Sequence, residues 1–245
     1  MATALVTGAS RGIGRETALV FAKSGYDVII NYNQSEAQAK ELAQEINRGH
    51  GAAHAAAIKA DVSNEKQVRA MFEQARQLFS PVDVLVNNAA VAWAGLLTDM
   101  SADEWDQLFA VNMRGAFLCS KEALPHMVSK KNGCIINISS IWGITGASCE
   151  VAYSAAKAAL IGFTKALAKE VGPSGVRVNC IAPGVIDTEM NGQLTTQDFE
   201  EIKEQTPLGT IGSTHDVAQA VLYLASGRGG FYTGQVLSPN GGLVI

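Results

Sequence analysis

The 245-residue sequence lacks any stretch rich in proline, serine or charge, and it carries only six prolines. With nothing that reads as a linker, residues 1–245 are expected to form a single domain. No apolar run is long enough to span a membrane, which excludes a transmembrane helix. Nor does a basic segment with an apolar core precede the first strand, Thr3-Ala4-Leu5-Val6, so no leader is read and a cytoplasmic location is expected. Basic residues are outnumbered, 19 against 23 acids, and the net charge of −4 argues against nucleic acid as the main partner. Cys119, Cys134, Cys149 and Cys180 form no C-x-x-C pair, and His50, His54, His126 and His215 are scattered. Four reduced thiols and no metal site are expected. Cys149 either lines a site with Tyr153, four residues on, or is a small half-buried thiol.

What is present is an apolar share of 47% against 17% charged residues, enough for a sizeable core. Short β-branched runs at 4–7, 27–31, 54–60, 82–86, 133–139, 176–181 and 235–238 read as strands. Between them, helices are expected at 12–24, 35–48, 65–79, 101–112, 115–130, 153–171 and 214–225. Ser35-x-x-Gln38 and Ser101-x-x-Glu104 read as capping boxes. Strands apolar almost throughout, such as Val82-Asp83-Val84-Leu85-Val86, suit a sheet covered on both faces. The alternation predicts an α/β fold: a Rossmann-type doubly wound parallel sheet of about seven strands with helices on both faces. Residues 184–210 lack a strong periodic element and read as a substrate-covering loop with a short helix near 197–204, or else as a plain surface loop.

Thr7-Gly8-Ala9-Ser10-Arg11-Gly12-Ile13-Gly14 follows the first strand and opens the first helix. Gly8, Gly12 and Gly14 would allow a tight turn, close approach to a pyrophosphate and close helix packing. The second strand ends Asn31-Tyr32-Asn33, with no carboxylate between Val28 and Gln34 to hold a ribose 2′-hydroxyl. Arg11 instead suits a 2′-phosphate, so NADP(H) is the expected cofactor. Asp61-Val62 could hold the adenine, the Asp61 carboxylate accepting from its amine; alternatively Asp61 caps the next helix. Asn87-Asn88-Ala89-Ala90 ends the fourth strand, where small side chains let backbone approach a cofactor.

Tyr153 and Lys157 stand four residues apart on one face of a helix. An ammonium beside a phenol favours the phenolate, so Lys157 is expected to lower the Tyr153 pKa and make it a usable acid. Ser140, thirteen residues upstream at a strand end, could hold a carbonyl against that phenol.

Taken in order, Thr7–Gly14, Asn87–Ala90, Asn112, Ser140, Tyr153, Lys157 and Pro183-Gly184 resemble the motif set of the short-chain dehydrogenase/reductases over essentially the whole chain. Ala90 departs from the pattern, where the family usually has glycine. The resemblance implies hydride transfer to a carbonyl carbon, with Tyr153 donating the proton and Ser140 steadying the oxygen. It also implies that Lys157 binds the nicotinamide ribose and that Asn112 kinks its helix and holds a water linking Lys157 to solvent. As one residue, Asn112 also reads as a helix cap. Ile186 and Thr188 would contact the carboxamide end of the nicotinamide.

Within the family the sequence is most similar to bacterial 3-oxoacyl-(acyl-carrier-protein) reductases, through the motifs above and Val236-Leu237-Ser238-Pro239-Asn240-Gly241-Gly242. That likeness implies a role in fatty acid biosynthesis, an acyl-carrier protein as partner and a homotetramer pairing helices near 115–130 and 153–171. Ala155, Ala158, Ala159 and Gly162 would permit such pairing, or else serve helix-to-sheet packing. Lys130 and Lys131 could supply part of a basic patch for an acidic carrier, while Ser174 stands where the reductases tend to carry a second basic residue. The run Ser139-Ser140-Ile141-Trp142-Gly143 … Ser148-Cys149-Glu150 also resembles a Gram-positive branch that reduces the 5-aminopentanone group on elongation factor P. Trp142, Cys149 and Glu150 are the candidate substrate residues. A carboxylate at Glu150 suits a cationic substrate, or else serves as a helix N-terminal acid. A non-catalytic nucleotide sensor would be expected to have lost members of the Asn112–Ser140–Tyr153–Lys157 group, which is intact.

Overall fold

β1 (Thr3–Val6), β2 (Asp27–Tyr32), β3 (Ala55–Lys59), β4 (Val82–Asn87), β5 (Gly133–Ile138), β6 (Val176–Ile181) and β7 (Val236–Leu237) form one parallel sheet. The strand order is β3-β2-β1-β4-β5-β6-β7. The computed structural model describes residues 1–49, 54–192 and 195–245; His50 and residues 193–194 of the 184–210 stretch lie outside them. The register lays matching aliphatic rows across the strands. Leu5 stands between Ile29 and Leu85, and the row continues through Ile135 to Val178. Its neighbours Val6, Ile30, Val86 and Ile136 point to the opposite face, as the two-residue strand period requires. Each row is buried by its own helices, which is why the strands read as continuously apolar.

α1 (Gly12–Lys23), α2 (Glu36–Gly49) and α9 (Thr214–Ala225) cover the Val6 face. α3 (Glu65–Leu78), α5 (Gly115–Lys130) and α7 (Val151–Val171) cover the Leu5 face. After β3 the chain returns to place β4 beside β1, so strand order reverses at that pair and leaves a crevice at the strands' carboxyl ends.

Several boundaries differ from the sequence reading. α4 (Ala102–Phe109), started by the Ser101–Glu104 capping box, ends before Asn112 and continues as a π turn over Ala110–Arg114. The two side-chain atoms of Asn112 bind the Val91 backbone, Oδ1 accepting from its N–H and Nδ2 donating to its carbonyl, each at 2.8 Å. That tether fits the extra residue in the turn. No Ser35–Gln38 box is present among the described hydrogen bonds; Glu36 is instead the first-turn acid of α2 and pairs with Lys40. α6 (Trp142–Thr145) is a single turn with no periodicity to reveal it. α8 (Thr196–Gln205) starts from a box closed by aspartate, Thr195–Asp198.

At the amino ends of the strands, α5 is tied to the sheet by charge. Asp83 of β4, whose side chain is 8% exposed, lies 2.6 Å from Lys130 Nζ and 3.3 Å from His126 Nε2, and accepts the Thr3 N–H at 3.2 Å. Within the single chain, Lys130 and Lys131 therefore lie away from the cleft beside which a basic patch was expected. α5 runs antiparallel to the strands, so its C-terminal Lys130 and Lys131 fall at the far edge of the sheet; Gly175, next to Ser174, packs on the Lys131 carbonyl there.

Candidate active site

Two cavities meet at the carboxyl ends of the strands. The larger, about 590 Å³, runs from Gly8 and Arg11 past Asn31–Ser35 to Asp61 and Val62. The smaller, about 180 Å³, is walled by Ser140, Trp142, Glu150, Tyr153 and Lys157 on one side and by Pro183–Ile186, Thr188, Met190 and Asn191 on the other. Ile13, Asn88 and Ala90 line both.

The turn after β1 closes tightly. Gly8 has φ +61°, a conformation that L side chains rarely adopt. A Cβ on Gly14 would stand 2.5 Å from Asn88 Nδ2 and 2.6 Å from the Gly8 carbonyl, so only glycine fits there. Asn88 Nδ2 donates to the carbonyls of Thr7 and Gly8 and thereby locks the turn onto β4. Thr7, which the sequence reading left as part of the turn, is the hub: its Oγ1 accepts from the N–H groups of Asn88 and Ala89. Ala90 carries no backbone strain, since Lys131 and Cys149 are the non-glycine residues of positive φ among those described.

Not every expected cofactor residue presents polar atoms to the groove. Asn31 lines it but uses Oδ1 to accept the Gly8 N–H and Nδ2 to reach the Ala60 carbonyl, so it braces the turn from behind. Tyr32 and Val62 are buried walls, and Asn33 is exposed. Asp61 does not cap α3, because Asn64 does. The Oδ1 of Asp61, which lines the groove, accepts from the N–H and hydroxyl of Ser63, and Oδ2 has no hydrogen-bond partner among the described residues. Ser10 is buried at the turn, and Arg11 lies exposed at the mouth, 3.3 Å from Glu189. This tight glycine turn, a helix N-terminus and one cation among the described residues lining a long groove fit a dinucleotide.

Ser140, Tyr153 and Lys157 are brought together and buried. Lys157 Nζ stands 5.4 Å from the centre of the Tyr153 ring and donates to the Ile138 carbonyl at 2.8 Å. Ser139, missed from sequence although adjacent to Ser140, donates to the Lys157 carbonyl at 2.8 Å and pins α7 to β5. Ser140 Oγ accepts the Trp142 N–H at 3.1 Å. The electrostatics differ from the expected lowering of the Tyr153 pKa. Burial raises the Tyr153 phenol above its ordinary value, the Glu150 carboxylate raises it further, and a hydrogen bond from Ser140 opposes both. Lys157 does not offset that burial, and is itself desolvated, pushed down to about 8. A phenol so placed keeps its proton and is an acid rather than a base.

Glu150 is the N-cap residue of α7 but makes no side-chain capping bond. Burial raises its carboxyl pKa, and no salt bridge engages it among the described residues. Cys149 is exposed and not among the residues walling the smaller cavity. Its left-handed backbone (φ +61°) turns the carbonyl to accept the Gly95 N–H at 2.8 Å, and the thiol lies beside Ser148. Asn112 lies in the π turn and makes no direct bond to Lys157 among the described residues. Pro183 and Gly184 hold the loop by backbone bonds to Ile141 and Pro239; Ile186 is buried and Thr188 half-buried at the junction of the cavities. Met190 and Asn191 also line the small cavity, although no sequence pattern marks them.

A family model described as enoyl-(acyl carrier protein) reductase matches residues 8–244. The chain is 40% identical over 243 residues to the 3-oxoacyl-(acyl-carrier-protein) reductase FabG of Staphylococcus aureus, covering 99% of this chain and 98% of that one. It is 41% identical over 239 residues to the FabG of Aquifex aeolicus, 98% and 96% covered. It is also 38% identical over 240 residues to the uncharacterized oxidoreductase YmfI of Bacillus subtilis, with 98% of both covered.

Proposed function

The chain belongs to the short-chain dehydrogenase/reductase family of oxidoreductases, and we propose that it reduces a ketone with NADPH, and that the ketone is a 3-oxoacyl thioester on acyl-carrier protein or coenzyme A. The observation that carries this reading is the pair of hydroxyls, Ser140 and Tyr153, facing one small cavity that opens onto the dinucleotide groove. Bound with its nicotinamide end at Ile186 and Thr188, NADPH would supply the hydride. Arg11 would hold the 2′-phosphate, the turn Gly8–Gly14 the pyrophosphate, and Asp61 and Val62 the adenine end.

Tyr153 gives its phenolic proton to the carbonyl oxygen as negative charge develops there. Ser140 hydrogen-bonds the same oxygen, a contact that strengthens with that charge. Lys157, near its midpoint close to neutral pH, returns a proton to Tyr153 and reaches the nicotinamide ribose. The π turn at Asn112 would seat the water that connects Lys157 to solvent. Val185, Ile186, Met190 and Asn191, which line the small cavity, would flank the substrate. A cytoplasmic homotetramer belongs to the same reading: Ala158 and Gly162 face away from the sheet, as do Phe117 and Val128 of α5, leaving a face for pairing.

A second reading is a ketone carrying an ammonium group, such as the 5-aminopentanone of elongation factor P. Glu150 favours it: a half-buried carboxylate in the cavity wall with no salt-bridge partner among the described residues would gain an ion pair from such a substrate. The deciding experiment compares NADPH oxidation with acetoacetyl thioester and with ketone-modified elongation factor P. Turnover of the thioester alone supports the first reading. Turnover of the modified protein alone supports the second, and turnover of neither rejects both.

A further inference from the structure

The dinucleotide groove is poor in positive charge for a site that takes a phosphorylated nucleotide. Arg11 is the one cation among its described lining residues, against two carboxylates, Asp61 and Glu189. Asp61 sits at the adenine end, half-engaged by Ser63. Glu189 belongs to the segment after β6, yet its Oε2 lies 3.3 Å from Arg11 Nη1 across 178 residues of sequence. The approach is built by the backbone. The site of a Cβ on Gly12 is 3.6 Å from the Thr188 methyl, so the segment packs directly on the phosphate turn. Thr188, Glu189 and Asn191 then form a short turn held by backbone bonds from Asn191 to Thr188 and from Gly192 to Glu189, with Asn191 Nδ2 on the Ile186 carbonyl.

We propose that Glu189 sets nucleotide preference by competing for Arg11: a nucleotide bearing a 2′-phosphate must take the guanidinium from this carboxylate, and one lacking it need not. Glu189 thus moderates the preference for NADPH that Arg11 confers. The inference rests on the proposed NADPH reading and adds a residue that no glycine-rich motif contains. Both side chains are mostly exposed, 61% and 71%, so the competition is worth a small factor and weakens with salt.

The test is calorimetric titration of the free protein with NADPH and NADH, for wild type, Glu189→Gln, Arg11→Gln and the double variant. Glu189→Gln is expected to tighten NADPH about two- to five-fold with NADH little changed. That gain should disappear in the Arg11→Gln background, as a coupled pair requires. An unchanged NADPH-to-NADH ratio in Glu189→Gln, an equal loss for both nucleotides, or the same gain without Arg11 would each overturn the proposal. If Arg11→Gln alone leaves NADPH affinity unaltered, the NADPH reading of Arg11 fails, and the competition fails with it.

Discussion

Asp83 and Glu150 are carboxylates withdrawn from water at opposite ends of the same sheet, and they respond in opposite directions. Burial alone would raise the Asp83 carboxyl, but hydrogen bonds from Lys130, the Thr3 N–H and His126 outweigh it and hold the pKa below the ordinary value. Glu150 has no such partners, so burial raises its pKa unopposed. The lysines repeat the contrast. Lys130 sits on Asp83 with its charge half in water, whereas Lys157 is buried, donates to the neutral Ile138 carbonyl with no carboxylate partner among the described residues, and is pushed down to about 8. The amino end pairs its buried carboxylate and gains stability; the carboxyl end leaves Glu150 and Lys157 without ion-pair partners among the described residues, loses stability, and acquires in Lys157 a group that titrates near pH 8.

The comparison breaks most visibly at Tyr153. Tyr153→Phe is expected to lower kcat for ketone reduction by about 10³-fold, the usual scale for a lost general acid, with the unfolding midpoint in urea little changed. Retention of a tenth of the activity would show that the proton comes from elsewhere. Lys157→Met should lower kcat by about 10²-fold yet make the protein more stable at pH 7. Holding the ammonium in the folded state at that pH costs about 3 kcal/mol, the Met replacement orphans one carbonyl, and the net gain is about 2 kcal/mol. The sign is testable by pH. The folded pKa lies below the unfolded value of 10.5, so the penalty is full below pH 8 and fades between 8 and 10.5. The stability gap between variant and wild type should narrow across that window; a constant gap would mean that Lys157 is not desolvated.

Asp83→Asn should do the converse, removing about 2 kcal/mol of stability at pH 7 while kcat stays within about twofold. Because the folded pKa of Asp83 is lowered, its contribution is present above the ordinary value of 3.8 and is lost as pH falls through the lower folded value. Urea unfolding from pH 7 to pH 2 would show the two proteins converging. The smallest effect is expected at Glu150→Gln. Removing its charge lets the Tyr153 phenol fall back toward its ordinary value and should shift preference between cationic and neutral ketones a few-fold. Unchanged selectivity would remove the case for an amine partner.

Much of this was legible in the sequence. The aliphatic rows through Leu5, Ile29, Leu85 and Ile135 announced the parallel sheet, because burial on both faces leaves no polar alternation. The glycine turn, Ser140, Tyr153 and Lys157 were legible because their spacing repeats the geometry they need. What stayed hidden depends on distance in the chain. The Arg11–Glu189 contact, the Asp83–Lys130 pair and the Thr7 hub join residues 47 to 178 positions apart or bind backbone atoms that no pattern marks. The direction of the Tyr153 shift was also hidden, since spacing places Lys157 beside the phenol but says nothing about the burial of both groups, which raises the phenol and lowers the ammonium.

Burial at the carboxyl end is expected to keep Tyr153 a protonated acid in the free protein. Titration of the free protein carrying ¹³C-labelled tyrosine, with the Tyr153 signal assigned from Tyr153→Phe, measures this directly. No inflection of that signal is expected below about pH 10, the ordinary range for a phenol. An inflection between about pH 6 and 8 would show a phenol already activated by Lys157, and would contradict it.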